Sequence, residues 1–173
     1  MPDITDKLKH IKLLLLDVDG VLTDGTIIYN DQKVETKIFN VKDGLGIKLL
    51  MNAGVQVCIV TGRGSEALRH RCRDIGIPHV FENVKDKAEM LCHIVKLTGV
   101  SMENTAFVGD DLPDLPLMKR VAVSFTVADA HEIVRKHADM VIMAKGGQGA
   151  VREICEILLK AGGHWEKAVE PFL

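Results

Sequence analysis

Short apolar runs rich in β-branched residues alternate along the chain with longer helical stretches, and glycines separate many of them. This alternation is typical of a parallel sheet whose successive strands are connected by helices. Because each run is apolar on both of its faces, we expect helices to cover both sides of the sheet. The pattern predicts buried strands at 11–16, 55–60, 105–108, 121–124 and 140–143.

The longer stretches between these runs complete an α/β architecture. Three of them end at Gly54, Gly76 and Gly99, and glycine is favoured where a helix ends in a left-handed residue. The predicted fold class is therefore α/β, a Rossmann-like parallel sheet with helices on both faces. Helices are predicted at about 43–53, 64–75, 86–98, 113–119, 129–136 and 149–161.

Two segments depart from this alternation. From residue 25 to residue 40, two runs of alternating polarity flank Asn30 and Asp31, which predicts a β-hairpin flap directly after the first strand. The tail, residues 162–173, has no clear periodicity. We expect the tail to be either mobile or ordered only against a partner.

Length and charge narrow the class of protein. A chain of 173 residues is long enough for one domain, 1–173, and too short for a second. With 22 Lys plus Arg against 24 Asp plus Glu, no broad basic field attracts nucleic acid or an anionic membrane. The apolar run at 13–16 is too short to span a bilayer, and Pro2, Asp3 and Asp6 before it lead us to expect no secretory signal there. Widely spaced cysteines suggest reduced thiols and a cytoplasmic location.

Acidic residues follow two of the predicted strands. Asp17 and Asp19 lie at the end of the first strand, and Asp110 follows the strand at 105–108. Ligands bind at the carboxyl edge of such sheets, and residues two apart on a strand point the same way. If the first strand continues as far as Asp19, we therefore expect the carboxylates of Asp17 and Asp19 to converge. Two like charges about 4 Å apart cost on the order of 4 kcal/mol at an effective dielectric of about 20. The cluster therefore calls for a cation, and hard oxygen ligands beside a phosphate suit Mg²⁺.

Each aspartate taken alone has a simpler interpretation. Aspartates after strands often cap helices, and Asp114, directly after Pro113, would then serve the start of its own helix. The capping interpretation is weaker for Asp17, Asp19 and Asp110 together, because each stands at a strand end of the same sheet. We therefore favour a metal site.

Two further segments suit a phosphate group at the same edge. Thr61, Gly62 and Arg63 follow the strand at 55–60, where a hydroxyl group and free backbone N–H groups near a helix start can bind phosphate oxygens. Lys85 and Lys87 open the helix at 86–98. A lysine that reaches over the sheet edge would neutralise both a phosphate and a carboxylate, whereas a lysine considered alone is more often a solvated surface residue.

These segments, in this order, resemble the haloacid dehalogenase superfamily of phosphohydrolases. That pattern is Asp-x-Asp-Gly, then Thr-Gly, then Lys, then Gly-Asp-Asp with another Asp three residues on. Longer motifs resemble, more narrowly, the 3-deoxy-D-manno-octulosonate 8-phosphate phosphatases, which act in the making of the lipopolysaccharide inner core. They are Asp17-Val-Asp-Gly-Val-Leu-Thr-Asp-Gly25, Asn40-Val-Lys-Asp-Gly-Leu-Gly-Ile47, Thr61-Gly-Arg63, Gly109-Asp-Asp-Leu-Pro-Asp114 and Gly146-Gly-Gln-Gly-Ala-Val-Arg-Glu153.

The resemblance implies a role for each matching aspartate. Asp17 would be the nucleophile that forms an aspartyl-phosphate, and Asp19 would be the general acid and base. Mg²⁺ would be held by the side chains of Asp17 and Asp110 and by the backbone carbonyl of Asp19. Asp111 or Asp114 would act on the metal through water or by supporting its ligands.

The resemblance also implies how the phosphoryl group is bound. Its oxygens would be surrounded by Thr61, by Lys87 and by the backbone N–H groups of Gly20 and Gly62. The family pattern selects Lys87 rather than Lys85, because its lysine directly follows a polar residue. Phosphoryl transfer depends mainly on positioning and charge neutralisation, and an anionic nucleophile cannot approach a dianionic ester unaided.

Superfamily members usually carry a cap domain, and here the chain between residues 25 and 40 is too short for one. The subfamily resemblance implies a homotetramer instead, in which hairpins and tails close neighbouring sites, with Gly146-Gly-Gln-Gly149 in the tail region. A flexible entry to the last helix would explain these glycines equally well. The family often has arginine at the position of Gln148, and glutamine cannot supply that charge. Arg63 is then the best candidate to contact a sugar or its carboxylate.

Other functions share parts of this pattern. A phosphatase for nine-carbon nonulosonate 9-phosphates would use the same chemistry, but it can carry an acidic residue where this chain has Arg63. A noncatalytic oligomerisation domain of the same fold is disfavoured by the intact acidic set. A receiver domain is disfavoured by Asp19, because an acid and base beside the phosphoryl acceptor would hasten loss of the phosphoryl group.

Overall fold

The computed structural model describes residues 3–173, and a six-stranded parallel sheet forms its centre. The described chain contains the strands β1 (Leu13–Leu16), β2 (Ile28–Tyr29), β3 (Glu35–Thr36), β4 (Gln56–Val60), β5 (His79–Phe81), β6 (Thr105–Val108), β7 (Val123–Thr126) and β8 (Met140–Val141). The large sheet has the order β5-β4-β1-β6-β7-β8, and β2 and β3 form a separate antiparallel pair. In this order, β1 lies between β4 and β6.

Helices connect the strands and cover the sheet. The α-helices of the described chain are α1 (Ile4–Lys9), α2 (Val41–Asn52), α3 (Glu66–Ile75), α4 (Lys87–Thr98), α5 (Leu115–Met118), α6 (Glu132–His137), α7 (Ala150–Ala161) and α8 (Trp165–Val169). Helix α2 packs against α7 and α3, and α4 packs against α5. The predicted α/β class with helices flanking a parallel sheet is therefore confirmed. No helix of the described residues has the length and apolar character needed to cross a membrane.

The start and end of several helices follow from local side chains. Ser65 and Asp86 precede α3 and α4, and their side-chain oxygens accept hydrogen bonds from backbone N–H groups of the first turn. Gly76 and Gly99 end the same two helices with φ angles of 87° and 70°, a conformation that favours glycine. The predicted positions of both helices agree with the structure to within two residues.

The strands of the sheet are apolar because they form the buried core of the protein. All four leucines of β1 are fully buried, as expected for a central strand covered on both faces. In the strand register, Leu16 lies beside Ile59 of β4 and Val108 of β6. The carboxyl ends of the three central strands therefore lie side by side, and the loops that follow them meet at one edge.

Strands β1 and β8 are each two residues shorter than the predicted strands at 11–16 and 140–143. Two other strands differ more from the sequence prediction. The predicted strand at 121–124 is wrong by two residues, because the structure continues pairing through the buried Phe125 and Thr126. Strand β5, His79–Phe81, was not predicted, because its three residues are half-buried at the edge of the sheet and form no long apolar run. Apolar runs mark buried strands well and short edge strands poorly.

The segment between β1 and α2 forms the predicted hairpin. Its strands pair Ile28 with Thr36 and Tyr29 with Glu35. Asn30 shapes the turn, because its side-chain oxygen accepts hydrogen bonds from the backbone N–H groups two and four residues later, at 3.0 and 2.9 Å. This hairpin and α2 are all that the chain inserts between β1 and β4, so no large cap domain is present there.

The tail is more regular than its sequence indicates. Residues 165–169 form α8, and a 3₁₀ turn follows at Glu170–Phe172. Helix α8 packs against α7 of the same chain, and Lys160 Nζ lies 4.8 Å from the centre of the Trp165 ring. A five-residue helix is too short to show a hydrophobic period, so the sequence pattern did not reveal it.

Candidate active site

All eight residues selected as catalytic, substrate-binding or metal-binding line one cavity of about 320 Å³ at the carboxyl edge of the sheet. They are Asp17, Asp19, Gly20, Thr61, Gly62, Arg63, Lys87 and Asp110. Asp111 and Asp114 line the same cavity, as do Gly25, Val84, Lys85 and Pro113, which the sequence analysis did not assign to it. The strand ends therefore gather the predicted residues in one place.

Three carboxylates in this cavity form a compact acidic cluster. One oxygen from each of Asp17, Asp110 and Asp114 lies within 4.8 Å of the other two. Burial raises the pKa of Asp17 to about 6, although the Lys87 ammonium acts to lower it. Burial, together with the charges of Asp17 and Asp114, raises the pKa of Asp110 to about 8. These shifts reflect first the burial of the two carboxylates and then the charges of neighbouring carboxylates, and a divalent cation would offset both.

Backbone atoms press closely against this cluster. A Cβ atom at Gly20 would lie 2.0 Å from Oδ2 of Asp110, and the φ angle of Gly20 is 84°. Only glycine can adopt this conformation without strain and without displacing the carboxylate. Gly20 therefore lets the loop after β1 approach the loop after β6.

Lys87 is the cation of the cluster. Its side chain is buried, and its Nζ lies 2.9 Å from Oδ1 of Asp17 and 2.6 Å from Oδ1 of Asp114. Burial acts to lower the pKa of Lys87, but the two carboxylates outweigh this effect and raise it, so the amine is charged. Lys85 also lines the cavity but is exposed. The geometry thus favours Lys87 over Lys85 as the lysine that acts on the cluster.

Asp114 does more than begin its own helix. Its Oδ2 accepts hydrogen bonds from the backbone N–H groups of Asp110 and Asp111, at 2.9 and 3.2 Å, while its Oδ1 accepts from Lys87. Its bond to the Asp111 N–H is part of a capping box at the 3₁₀ turn Leu112–Asp114. With both oxygens engaged, Asp114 orients the loop that carries Asp110.

Asp19 is separated from this cluster. Strand β1 ends at Leu16, so the rule that residues two apart on a strand point the same way does not extend to Asp17 and Asp19. The Asp19 carboxylate instead forms ion pairs with Lys37 of the hairpin and, at 3.5 Å, with Nε of Arg63. The condition for convergence along the strand is therefore not met, although Asp17 and Asp19 line the same cavity.

Arg63 connects the site to the hairpin. Its guanidinium donates hydrogen bonds to the Tyr29 hydroxyl at 2.8 Å and to Glu35 Oε1 at 3.2 Å. The sequence analysis did not single out Tyr29, Glu35 or Lys37. The available signal was the alternating polarity of the hairpin, in which Glu35 and Lys37 are two residues apart, although β3 itself ends at Thr36.

The glycine motif that begins at Gly146 lies behind the site. A Cβ at Gly146 would fall 1.9 Å from the backbone oxygen of Gly20, and the Gly147 N–H donates a 3.0 Å hydrogen bond to the Val21 carbonyl. Gln148 does not line the cavity. These glycines therefore permit close backbone packing against the loop that follows Asp17.

The parallel fold, the buried acidic cluster and its lysine define a haloacid dehalogenase-like hydrolase, and a model of that family matches residues 76–154. The 3-deoxy-D-manno-octulosonate 8-phosphate phosphatase of Escherichia coli strain K12 is 42% identical over 166 residues, which cover 96% of this chain and 88% of that enzyme. The Yersinia pestis phosphatase of the same name is 40% identical and covers 96% and 89%. The chain belongs to the family of 3-deoxy-D-manno-octulosonate 8-phosphate phosphatases.

Solved structures of this family superpose closely on the chain. The Moraxella catarrhalis phosphatase, in complex with magnesium, phosphate and the sugar acid KDO, has a TM-score of 0.95 at 40% identity and covers 98% of each chain. The cobalt-bound Haemophilus influenzae phosphatase has a TM-score of 0.89 at 43% identity, with 92% and 93% covered.

Proposed function

We propose that the protein is a Mg²⁺-dependent phosphatase that hydrolyses 3-deoxy-D-manno-octulosonate 8-phosphate to 3-deoxy-D-manno-octulosonate and phosphate. The observation that carries this proposal is the joint placement of Asp17, Asp110 and Lys87 in one cavity at the strand ends. The names of the relatives supply the substrate. The phosphatases that this chain resembles act in the making of the lipopolysaccharide inner core. The proposed reaction would therefore belong to lipopolysaccharide biosynthesis.

Asp17 is the proposed nucleophile. One of its carboxylate oxygens forms a bond to phosphorus while the bond from phosphorus to the sugar oxygen breaks, which gives an aspartyl-phosphate. The Lys87 ammonium, 2.9 Å from Asp17, lowers the repulsion between this carboxylate and the incoming phosphate. The Thr61 hydroxyl and the backbone N–H groups of Gly20 and Gly62 bind the phosphoryl oxygens from the cavity wall.

The donor set fits magnesium. The side chains of Asp17 and Asp110, with the backbone carbonyl of Asp19, would hold the ion, and the raised pKa values of the two carboxyl groups mark the place where positive charge is needed. Asp114 supports these ligands through the loop N–H groups that it binds. Bound magnesium supplies positive charge that screens the phosphate from the carboxylates.

Asp19 is the proposed acid and base. It gives a proton to the departing sugar oxygen and then accepts one from the water that attacks the aspartyl-phosphate. Its place on the hairpin side of the cavity leaves it free of the acidic cluster. Arg63, which forms an ion pair with Asp19, is the proposed contact for the sugar or its carboxylate.

Phosphate release tests the proposal directly. Purified protein with Mg²⁺ is expected to hydrolyse the eight-carbon ester with a higher kcat/KM than a nine-carbon nonulosonate 9-phosphate. Asp17→Asn removes the nucleophile and should abolish release, while Asp6→Asn, the same change on the exposed face of α1, should retain it. A preference for the nine-carbon ester would make the protein a nonulosonate phosphatase. Release from no sugar phosphate by the wild type would instead favour a noncatalytic oligomerisation domain.

We further propose a cytoplasmic homotetramer whose sites are completed by neighbouring subunits. The hairpin region exposes apolar side chains that a partner would cover: Ile27, Ile28, Tyr29, Val34, Ile38 and Val41. The four free cysteines, three of them buried, support a reducing compartment. Light scattering tests the homotetramer, and a monomer in solution would contradict it. Cell fractionation tests the location, and a periplasmic protein would contradict it.

A further inference from the structure

Lys37 lies where the hairpin meets the active site. Its side chain is 1% exposed, although the strands on either side of the hairpin turn are largely open to solvent. Its Nζ forms ion pairs with the Asp19 carboxylate and, at 2.9 Å, with Oε1 of Glu35. A lysine this deeply buried on an exposed hairpin has a specific environment built around it.

The charges at this junction balance. Lys37 and Arg63 each contact both Glu35 and Asp19, so two cations face two carboxylates. Lys37 and Glu35, whose side chains are covered, are paired with each other at 2.9 Å, which is the condition under which buried charges are tolerated. Removing Lys37 would leave Glu35 and Asp19 with Arg63 alone, and the Asp19 carboxylate would lose the partner that fixes its Oδ1.

We propose that Lys37 is a positioning residue for Asp19. It holds the carboxylate on the hairpin side of the cavity, apart from Asp17 and Asp110, where it can reach the leaving oxygen of the ester. Glu35 in turn holds Lys37. This inference rests on the proposed role of Asp19 as acid and base, and it makes the hairpin part of the catalytic geometry as well as a cover.

Leaving-group chemistry separates this role from a general defect. Breaking a sugar ester releases an alkoxide that needs a proton from Asp19, whereas an aryl phosphate releases a stabilised phenolate that departs without one. The parameter kcat/KM includes steps only up to departure of this group. Misplacement of Asp19 should therefore lower kcat/KM for the sugar ester much more than for an aryl ester.

The experiment compares Lys37→Met with Lys37→Arg, and Lys33→Met is the control because Lys33 is an exposed lysine of the same hairpin. For Lys37→Met we expect about a 10²-fold loss of kcat/KM on 3-deoxy-D-manno-octulosonate 8-phosphate and less than about a 3-fold loss on p-nitrophenyl phosphate. Lys37→Arg should recover part of the loss. The rise in melting temperature caused by Mg²⁺ should be the same in all variants, since the acidic cluster is intact.

Each outcome is decisive for one of the two claims. Equal losses on both esters, or no loss on either, would overturn the positioning role of Lys37. Failure of the wild type to hydrolyse any sugar phosphate would overturn the proposed function itself. If Lys37→Met does not fold, Lys37→Arg and Glu35→Gln serve as the test variants. The measured quantity is then the ratio of kcat/KM on the sugar ester to kcat/KM on p-nitrophenyl phosphate. A ratio equal to that of the wild type in both variants would contradict the proposal.

Discussion

At the scale of single residues, the main feature of the site is a group of like charges held close together. Asp17, Asp110 and Asp114 share a small buried volume with one ammonium group, that of Lys87. The lysine engages Asp17 and Asp114, while burial and the neighbouring carboxylates raise the pKa of Asp110 to about 8. Such strain is typical of functional sites, because a scaffold that served stability alone would avoid it.

Burial of these carboxylates, together with their repulsion, gives stability a pH dependence that magnesium should remove. A carboxyl group with a higher pKa in the folded protein than in the unfolded chain binds more protons when folded, so the free energy of unfolding falls as pH rises through that interval. For Asp110 the interval runs from 3.8 to about 8. We expect Mg²⁺ to raise the melting temperature more at about pH 8 than at about pH 5. Calorimetry checks this, and an equal rise at both pH values would contradict it.

Lys87 should be needed for both activity and stability. Lys87→Met leaves Asp17 and Asp114 without their cation, so we expect at least about a 10²-fold fall in kcat and a lower melting temperature. Lys96→Met makes the same change on the exposed face of α4 and should affect neither. Steady-state kinetics and thermal unfolding measure the two effects. Near-normal kcat in Lys87→Met would remove this lysine from the mechanism.

At the scale of elements, the site depends on backbones that approach unusually closely. The glycine motif before α7 packs against the loop after β1, and that loop packs against the loop after β6. Three segments far apart in the sequence therefore fix the position of the proposed nucleophile. The hairpin is attached to the same region through the ion pairs of Lys37 and Arg63.

The close packing at Gly146 makes a specific prediction. In Gly146→Ala the added Cβ would lie 1.9 Å from the Gly20 carbonyl oxygen, so the loop after β1 must shift. We expect at least about a 10-fold loss of kcat, because small displacements of catalytic groups are costly. Gly76→Ala is the control: its φ of 87° gives strain of about 1 kcal/mol, but no atom lies within 4 Å of the new Cβ. It should lower the melting temperature with kcat unchanged.

At the scale of the whole molecule, a small chain must exclude water from its site without a cap domain. Of the described chain, the hairpin is the segment that lies over the site, and it exposes several apolar side chains. Closure of a phosphatase site strengthens its electrostatics and limits competing reactions. The proposed assembly accounts for both the open cavity and the exposed apolar surface.

Breaking the proposed interface should therefore reduce activity along with size. Ile38 is 68% exposed, and Ile38→Asp would place a charge in the proposed contact. We expect this variant to be smaller in solution than the wild type and to have a lower kcat/KM. Leu97→Asp changes a 50% exposed leucine on α4 and should do neither. Light scattering with parallel kinetics decides, and a full-sized, fully active Ile38→Asp variant would contradict the role of the hairpin.

The sequence by itself determined the fold class and eight of the residues that line the cavity. Apolar runs predict central strands because burial on both faces leaves little room for polar residues, and strand ends bring Asp17, Thr61 and Asp110 to one edge. The short edge strand β5 and helix α8 were not predicted, because neither is long enough to show a periodic pattern of apolar residues.

Only the tertiary structure decided which of these residues contact one another. It engaged both oxygens of Asp114, separated Asp19 from the acidic cluster, and brought Lys37 of the hairpin to Asp19. It also placed Gly146 against the loop after β1. These contacts join residues from distant segments, and their distances depend on packing that no local pattern encodes. The sequence therefore specifies which groups meet, and the packed structure specifies which atoms face each other.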